Sequence, residues 1–596
     1  MSSIISALDS GMENKRLGEN GHVEYDWSGK DEELITQFFF QLVRTKDTSD
    51  LENILHHLLK KLSWENARES LLLSTLYKVI GQTRDIVKGK GEIDLTWMQL
   101  KVWYQYYPDL SYMAFSHCVI PYHSSLDGHQ YGSWKDIKYF LYYLKKNTSA
   151  AESHPLINII LEYIVIPCLK NDEKLYNNGE KVSLIGRWLP REKSSKKFNW
   201  IFKKLAQMMY PEFLIEPPFG WKSPHQISKA KTKQKIFLKK LLVKLSGDNG
   251  GSDTPQVKMC NGEWSKLKFN MIPSITLRKQ KNAICNMTKK GKIRSNKSDR
   301  VQCSENYKEH IEMCMSGDNT KKIHGKRLTV GDLAHDGYMY NEINDRDNSI
   351  RNTINLQWKS NSENNLGLED KPIIAMADTS GSMEADNCLP LNNSIGLAIR
   401  ISEICHPAFR HRIMTFDAFP QWVNTEKCKD FVAKAKKVKQ APWGCNTDFH
   451  LAIDKIIECL VSQDVEPSSV ENLVLAVFSD MQFDSRDHNI DIFDSAYEII
   501  KDKFAKAGMK TKWKTPYASP HILFWNLRKT EGFPATSYTK NISFLGGYNS
   551  TLLNIFVTKG IDELKKVTPF TMLKDLVNIK RYNALDDNIS QYLAAV

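Results

Sequence analysis

A chain of 596 residues, 41% of them hydrophobic and 25% charged, has room for about two to four domains with filled cores. No apolar run reaches the roughly 18 to 20 residues that cross a bilayer, and Met1 to Asn20 lacks the apolar centre of a signal peptide, so a cytoplasmic protein is expected, with a nuclear one also open. Eleven cysteines at no regular spacing suit reduced thiols and argue against a disulfide framework or a disulfide-linked partner.

In chain order, residues 1–30 form a polar, flexible leader, and helical periodicity follows over Glu33 to Thr45, Leu51 to Lys61, Ala67 to Ile80, Leu95 to Tyr106, Trp134 to Lys145, Pro155 to Cys168 and Lys197 to Met209. Amphipathic helices joined by short loops predict an antiparallel helical array over residues 31–365. Ile354 to Trp358 alternates apolar and polar residues and is expected as a strand tying this part to the next. From about 366 to 596 the pattern changes: strand-like Ile373 to Ala377, Arg412 to Phe416, Leu473 to Phe478 and His521 to Trp525 alternate with helical Leu391 to Ile404, Asp448 to Val461, Ile492 to Ala507 and Thr551 to Val557. Short apolar runs between amphipathic helices predict an α/β domain with a parallel sheet covered on both faces.

The charge is uneven. The net formal charge is +13, yet residues 222–330 hold 25 Lys and Arg against 8 Asp and Glu, a local excess of 17. Positive charge gathered on one segment is the electrostatic signature of a polyanion binder, with RNA the leading polyanion. Lys229, Lys231, Lys233, Lys235, Lys239 and Lys240 precede or line one helix with apolar members Ile236, Phe237, Leu241, Leu242 and Leu245, and they also fit a plain solvated face. A second basic turn, Thr83 to Glu92, carries Arg84, Lys88 and Lys90 between glycines, without the spacing of a phosphate-binding P-loop. Cys303, His310 and Cys314 lack the paired spacing of a zinc knuckle.

The densest chemistry follows Ile373 to Ala377. Asp378-Thr379-Ser380-Gly381-Ser382 puts a carboxylate and two hydroxyls on one turn, Thr447 follows a glycine-containing loop and opens a helical pattern, and Asp480 ends an apolar stretch. These are oxygen ligands at the carboxyl ends of predicted strands, where open α/β sheets bind ligands. A hard cation such as Mg2+, or Mn2+ in its place, takes about six oxygens and keeps several waters, which suits hydroxyls and carboxylates acting through water. With no imidazole ligand, no second metal and no nucleophile elbow, a catalytic role is not expected.

Asp378, Ser380, Ser382, Thr447 and Asp480 together resemble the metal-ion-dependent adhesion site of a von Willebrand factor A domain, a Rossmann-like fold. That resemblance implies direct ligation by Ser380, Ser382 and Thr447, water-mediated roles for Asp378 and Asp480, and one open position for an acidic group of a protein partner. Phe478 to Asp484, Phe524 to Arg528 and Leu545 to Ser550 resemble the DUF2828 family, divided into a helical part and a DUF7788 A-domain part. The Thr83 to Glu92 turn, with Tyr131 to Asp136 and Ile272 to Ser274, is similar to the TROVE module, the HEAT-like helical ring of the Ro autoantigen. The resemblances imply a non-catalytic, RNA-binding scaffold of ribonucleoprotein type with a metal adhesion site; a metal-dependent protein-interaction module without RNA is the competing expectation.

Overall fold

A computed structural model describes residues 15–121, 128–214, 223–246, 254–345, 347–365, 367–369, 371–417, 419–441, 448–483, 496–558 and 561–595. A helical amino-terminal region is followed by an α/β region with a six-stranded sheet. By packing, the chain divides into two compact units interleaved along the sequence: residues 1–83, 87–95 and 268–579 in one, residues 84–86, 96–267 and 580–596 in the other. The basic stretch 222–330 is therefore split between them after Leu267.

The first unit opens with a hairpin, β1 (Lys15–Leu17) antiparallel to β2 (Val23–Tyr25). Lys15–Leu17 and Val23–Tyr25, expected within a flexible leader, are thus paired strands, and Tyr25 exchanges backbone hydrogen bonds with Phe533 at 2.9 Å. The main sheet contains β3 (Ile373–Asp378), β4 (Arg412–Phe416), β5 (Gln421–Asn424), β6 (Val474–Ser479), β7 (His521–Asn526) and β8 (Ile542–Gly546), in spatial order β5-β4-β3-β6-β7-β8. All neighbours are parallel except β5, which runs antiparallel to β4 at one edge.

β3 and β6 are buried along their whole length, as the continuous apolar runs require of strands covered on both faces. Ile374, Met376, Leu475 and Val477 belong to one core with Phe449, Ile453 and Ile456 of helix Phe449–Ser462 and with Ile500 and Phe504 of helix Ala496–Gly508. Helix Ala385–Ile404 packs on β3, β4 and β6 without entering that core, so it covers the opposite face. The amino-terminal helix Asp31–Gln41 joins the first core through Phe40, whose ring stacks on Phe544 at 4.4 Å.

One expectation needs correction. Ile354 to Trp358 lies inside helix Ser349–Ser362; Ile354, Gln357, Trp358 and Asn361 are buried at helical spacing, and the Trp358 ring stacks on Phe431 at 3.8 Å. The run Pro155 to Cys168 is helical as expected and widens to a π-turn over Leu161–Val165. Pro167, which has no backbone N–H and crowds the preceding turn, lies two residues past its end.

The second unit is helical. Its core stacks Trp97 on Phe140 at 5.0 Å, and the carboxyl-terminal helix Asn583–Ala595 packs on Pro108–Val119. Two buried ion pairs tie distant segments together: Arg84 to Asp136 at 2.7 Å, and Arg581 to Asp85 at 2.6 Å.

Candidate metal centre

The order of the strands fixes where the site lies. β3 leads to β4 on one side, while β6 returns to pair with β3 on the other, so the direction of winding reverses between β3 and β6. Asp378 ends β3 and Asp480 immediately follows β6, placing both carboxylates at the crevice left by this switch. Both residues are fully buried, as is Ser479, and Ser380 is 1% exposed.

Every carboxylate oxygen already accepts a hydrogen bond. Asp378 Oδ1 accepts from the Ser380 backbone N–H at 2.9 Å and Oδ2 from Ser479 Oγ at 2.5 Å. Asp480 Oδ1 accepts from the Gln482 N–H at 3.2 Å and Oδ2 from Arg528 Nε at 2.9 Å. Burial, reinforced by the negative charge of Asp480, pushes the Asp378 carboxyl up to about 7. Two buried carboxylates, with the Arg528 guanidinium on Asp480, favour a further cation or a proton.

The donor set fits a small divalent cation. Ser380 Oγ and Ser382 Oγ lie 3.2 Å apart. Adjacent ligands of an octahedron with metal–oxygen distances near 2.1 Å are separated by about 3 Å, so both hydroxyls could be direct ligands. The carboxylates, engaged by protein donors, retain lone pairs suited to bridging waters. Among the described residues no group of three His, Cys, Asp or Glu forms a denser cage. Thr447 lies outside the described residues; the next residue, Asp448, caps helix Phe449–Ser462 by accepting from Leu451 N–H at 2.8 Å. Thr379 Oγ1 is buried without a partner beside these groups.

Several residues at the site escaped the sequence reading. Met481 has a left-handed backbone at φ 65° with a buried side chain, a strained conformation of a kind that gathers at functional loops. Gln482 anchors the hairpin: its Oε1 accepts from Glu19 N–H at 2.7 Å and its carbonyl from Asn20 Nδ2 at 3.0 Å. Glu19 in turn takes Arg528 Nη2 at 2.7 Å. The usable signal lay in the motifs themselves. Phe478 to Asp484 and Phe524 to Arg528 meet where Leu527 N–H donates to the Ser479 carbonyl at 3.0 Å, and Leu545 to Ser550 braces the second of them through Trp525 Nε1 on the Gly547 carbonyl at 2.8 Å.

The expected phosphate contacts divide. Arg84 and Lys90 are corrected: both are only 3% exposed. Arg84 is committed to Asp136, while Lys90 Nζ donates to the Phe39 and Leu42 carbonyls at 2.5 and 3.0 Å and is pushed down to about 7 by burial. Lys88 is exposed. On helix Pro224–Lys244 the buried stripe is Ala230, Gln234, Leu238, Leu241 and Leu242, leaving Lys229, Lys231, Lys233, Lys239 and Lys240 exposed and Lys235 half-buried at 3.2 Å from Glu192. Ile236 and Phe237, expected on the apolar face, are also exposed.

Comparison with known proteins adds two findings. Over 577 residues the chain is 24% identical to an uncharacterized protein, L728, of Acanthamoeba polyphaga mimivirus, an alignment covering 94% of this chain and 87% of that one. Residues 372–586, which take in Asp378, Ser380, Ser382, Asp480 and Arg528, match the family described as a domain of unknown function, DUF7788.

Proposed function

We propose that the chain is a non-catalytic scaffold whose α/β unit is a von Willebrand factor A-like domain with a Mg2+- or Mn2+-dependent adhesion site. The observation that carries this reading is the pairing of buried Asp378 and Asp480 at the switch between β3 and β6, with the Ser380 and Ser382 hydroxyls 3.2 Å apart beside them. The antiparallel edge strand β5 and the two-faced helical cover agree with that fold. A cation held by two hydroxyls and bridging waters keeps a position open for a carboxylate of an acidic protein partner. The proposed ligands are hydroxyls, with no imidazole among them, a set poorly suited to making hydroxide, which favours adhesion over hydrolysis.

RNA binding by the helical unit is the second reading, supported by the five exposed lysines of helix Pro224–Lys244. A TROVE-like role for the Thr83 to Glu92 turn loses its charge argument at Arg84 and Lys90 and keeps only Lys88. Binding of a fluorescent RNA pool across a salt series, with Mg2+ or EDTA, separates the two functions. The RNA reading expects salt-steep RNA binding that ignores EDTA, with the slope reduced in Lys239→Ala/Lys240→Ala. No binding at low salt would remove RNA and leave the metal-dependent protein-interaction module.

A further inference from the structure

Helices Asn199–Met209 and Pro224–Lys244 pack together in the second unit and leave a groove of about 390 Å³ lined in part by Lys203, Gln207, Ser228, Lys231, Gln234 and Lys235. That volume falls in the range of about 300–1,000 Å³ usual for small-molecule sites. Two observations point to a ligand. Lys203 and Lys231 are exposed and, among the described residues, neither has an acidic partner, while Lys235 is offset by Glu192 at 3.2 Å. The groove also borders the first turns of a 21-residue helix, whose dipole adds positive potential.

Gln234 supplies the independent feature. It is fully buried, and its Nε2 donates to the Tyr210 carbonyl at 2.9 Å. A carbonyl only accepts, so this bond fixes the amide orientation and directs Oε1 elsewhere. Gln234 Oε1 is buried and has no partner. Gln234 lines the groove, and a buried acceptor without a donor is costly, so an N–H or O–H brought to Oε1 from the groove would be favourable.

We propose that this groove binds a phosphate ester whose organic part carries a hydroxyl or amino donor, as a ribonucleotide does. Lys203 and Lys231 take the phosphate, and Gln234 Oε1 accepts from the donor. A free nucleotide and a nucleotide within RNA share this chemistry; only the second source rests on the RNA reading above.

The test uses the full chain with 5′-AMP, inorganic phosphate and a fluorescent oligo(A) as probes. Wild type is expected to bind AMP more tightly than phosphate. Lys203→Ala/Lys231→Ala should weaken AMP about ten-fold or more, and Gln234→Met should erase the preference for AMP over phosphate. If Gln234→Met fails to fold, the lysine pair alone decides. AMP binding that ignores the lysine pair overturns the groove. Loss of oligo(A) binding in the lysine pair assigns the ligand to a strand; AMP binding without any oligo(A) binding keeps the groove and ends the RNA reading. Oligo(A) binding that depends only on Lys239 and Lys240, with no AMP binding, ends the groove and keeps the RNA reading.

Discussion

Arg528 donates Nε to Asp480 Oδ2 at 2.9 Å, and the same guanidinium reaches Glu19 at 2.7 Å. Asp480 is fully buried and the Arg528 side chain is 23% exposed, so the arginine is the fixed counter-charge of one site carboxylate. Glu19, on the β1–β2 hairpin, shares it from the solvent side. Replacing Arg528 with Gln leaves Asp480 buried without its cation, and breaking such a pair costs about 3–5 kcal/mol. We expect thermal unfolding in EDTA to fall accordingly and saturating Mg2+ to restore more stability to Arg528→Gln than to wild type. Equal Mg2+ effects on both proteins would separate Arg528 from the metal site.

Asp378 gives a pH signature. Burial and the nearby Asp480 push its carboxyl up to about 7, well above the value of about 3.9 in an unfolded chain. The folded state then holds the proton more tightly, so the associated stability is complete below about pH 4 and is lost as pH rises through about 7. In EDTA, Asp378→Asn should flatten that decline, as followed by denaturant midpoints from pH 5 to 8. An unchanged pH profile in Asp378→Asn would count against the two-carboxylate electrostatics.

Lys90 separates packing from recognition. Its ammonium satisfies the Phe39 and Leu42 carbonyls at the end of helix Asp31–Gln41 and sits 4.1 Å from the Phe39 ring centroid. Lys90→Met is predicted to destabilise the fold by about 1–3 kcal/mol, the usual cost of leaving buried polar groups unpaired, and to leave RNA affinity unchanged. Urea titration beside a filter-binding assay measures both.

Much of the sheet was legible because β3, β4, β6 and β7 are short apolar runs between amphipathic helices, a pattern that follows from burial on two faces. β5 and β8 went unpredicted for different reasons. Only Val423 is buried in the edge strand β5, so it carries almost no apolar signal, and Ile542 to Gly546 follows a long polar loop without a helix before it. At Ile354 to Trp358 five alternating residues fit either period, and the helix was decided by burial of Gln357 and Asn361 as well as the apolar pair. The carboxylates and hydroxyls of the proposed metal site could be picked out because they stand at strand ends. Arg528 and Glu19 could not, since ion pairs across 509 residues leave no local pattern. Lys90 reads as exposed because it lies in a glycine-flanked basic turn, and only packing against helix Asp31–Gln41 reverses that.

Gly132 links two motifs that the sequence left apart. A Cβ there would meet Asp136 Oδ2 at 1.9 Å, Arg84 Nε at 2.8 Å and the Cys118 carbonyl at 2.9 Å. Gly132→Ala should therefore displace the buried Arg84–Asp136 pair and lower the unfolding midpoint. A double-mutant cycle with Asp136→Asn should show non-additivity of about 0.5–3 kcal/mol. Strict additivity would mean that the pair does not feel the glycine.

The most direct measurement is calorimetric titration of Mn2+ into the EDTA-stripped, dialysed full chain, with Ser380→Ala/Ser382→Ala in parallel. The account predicts one site in the wild type and its loss in the double variant, with both proteins retaining the same circular dichroism. Equal Mn2+ binding by the two would contradict a metal centre built on the turn after β3.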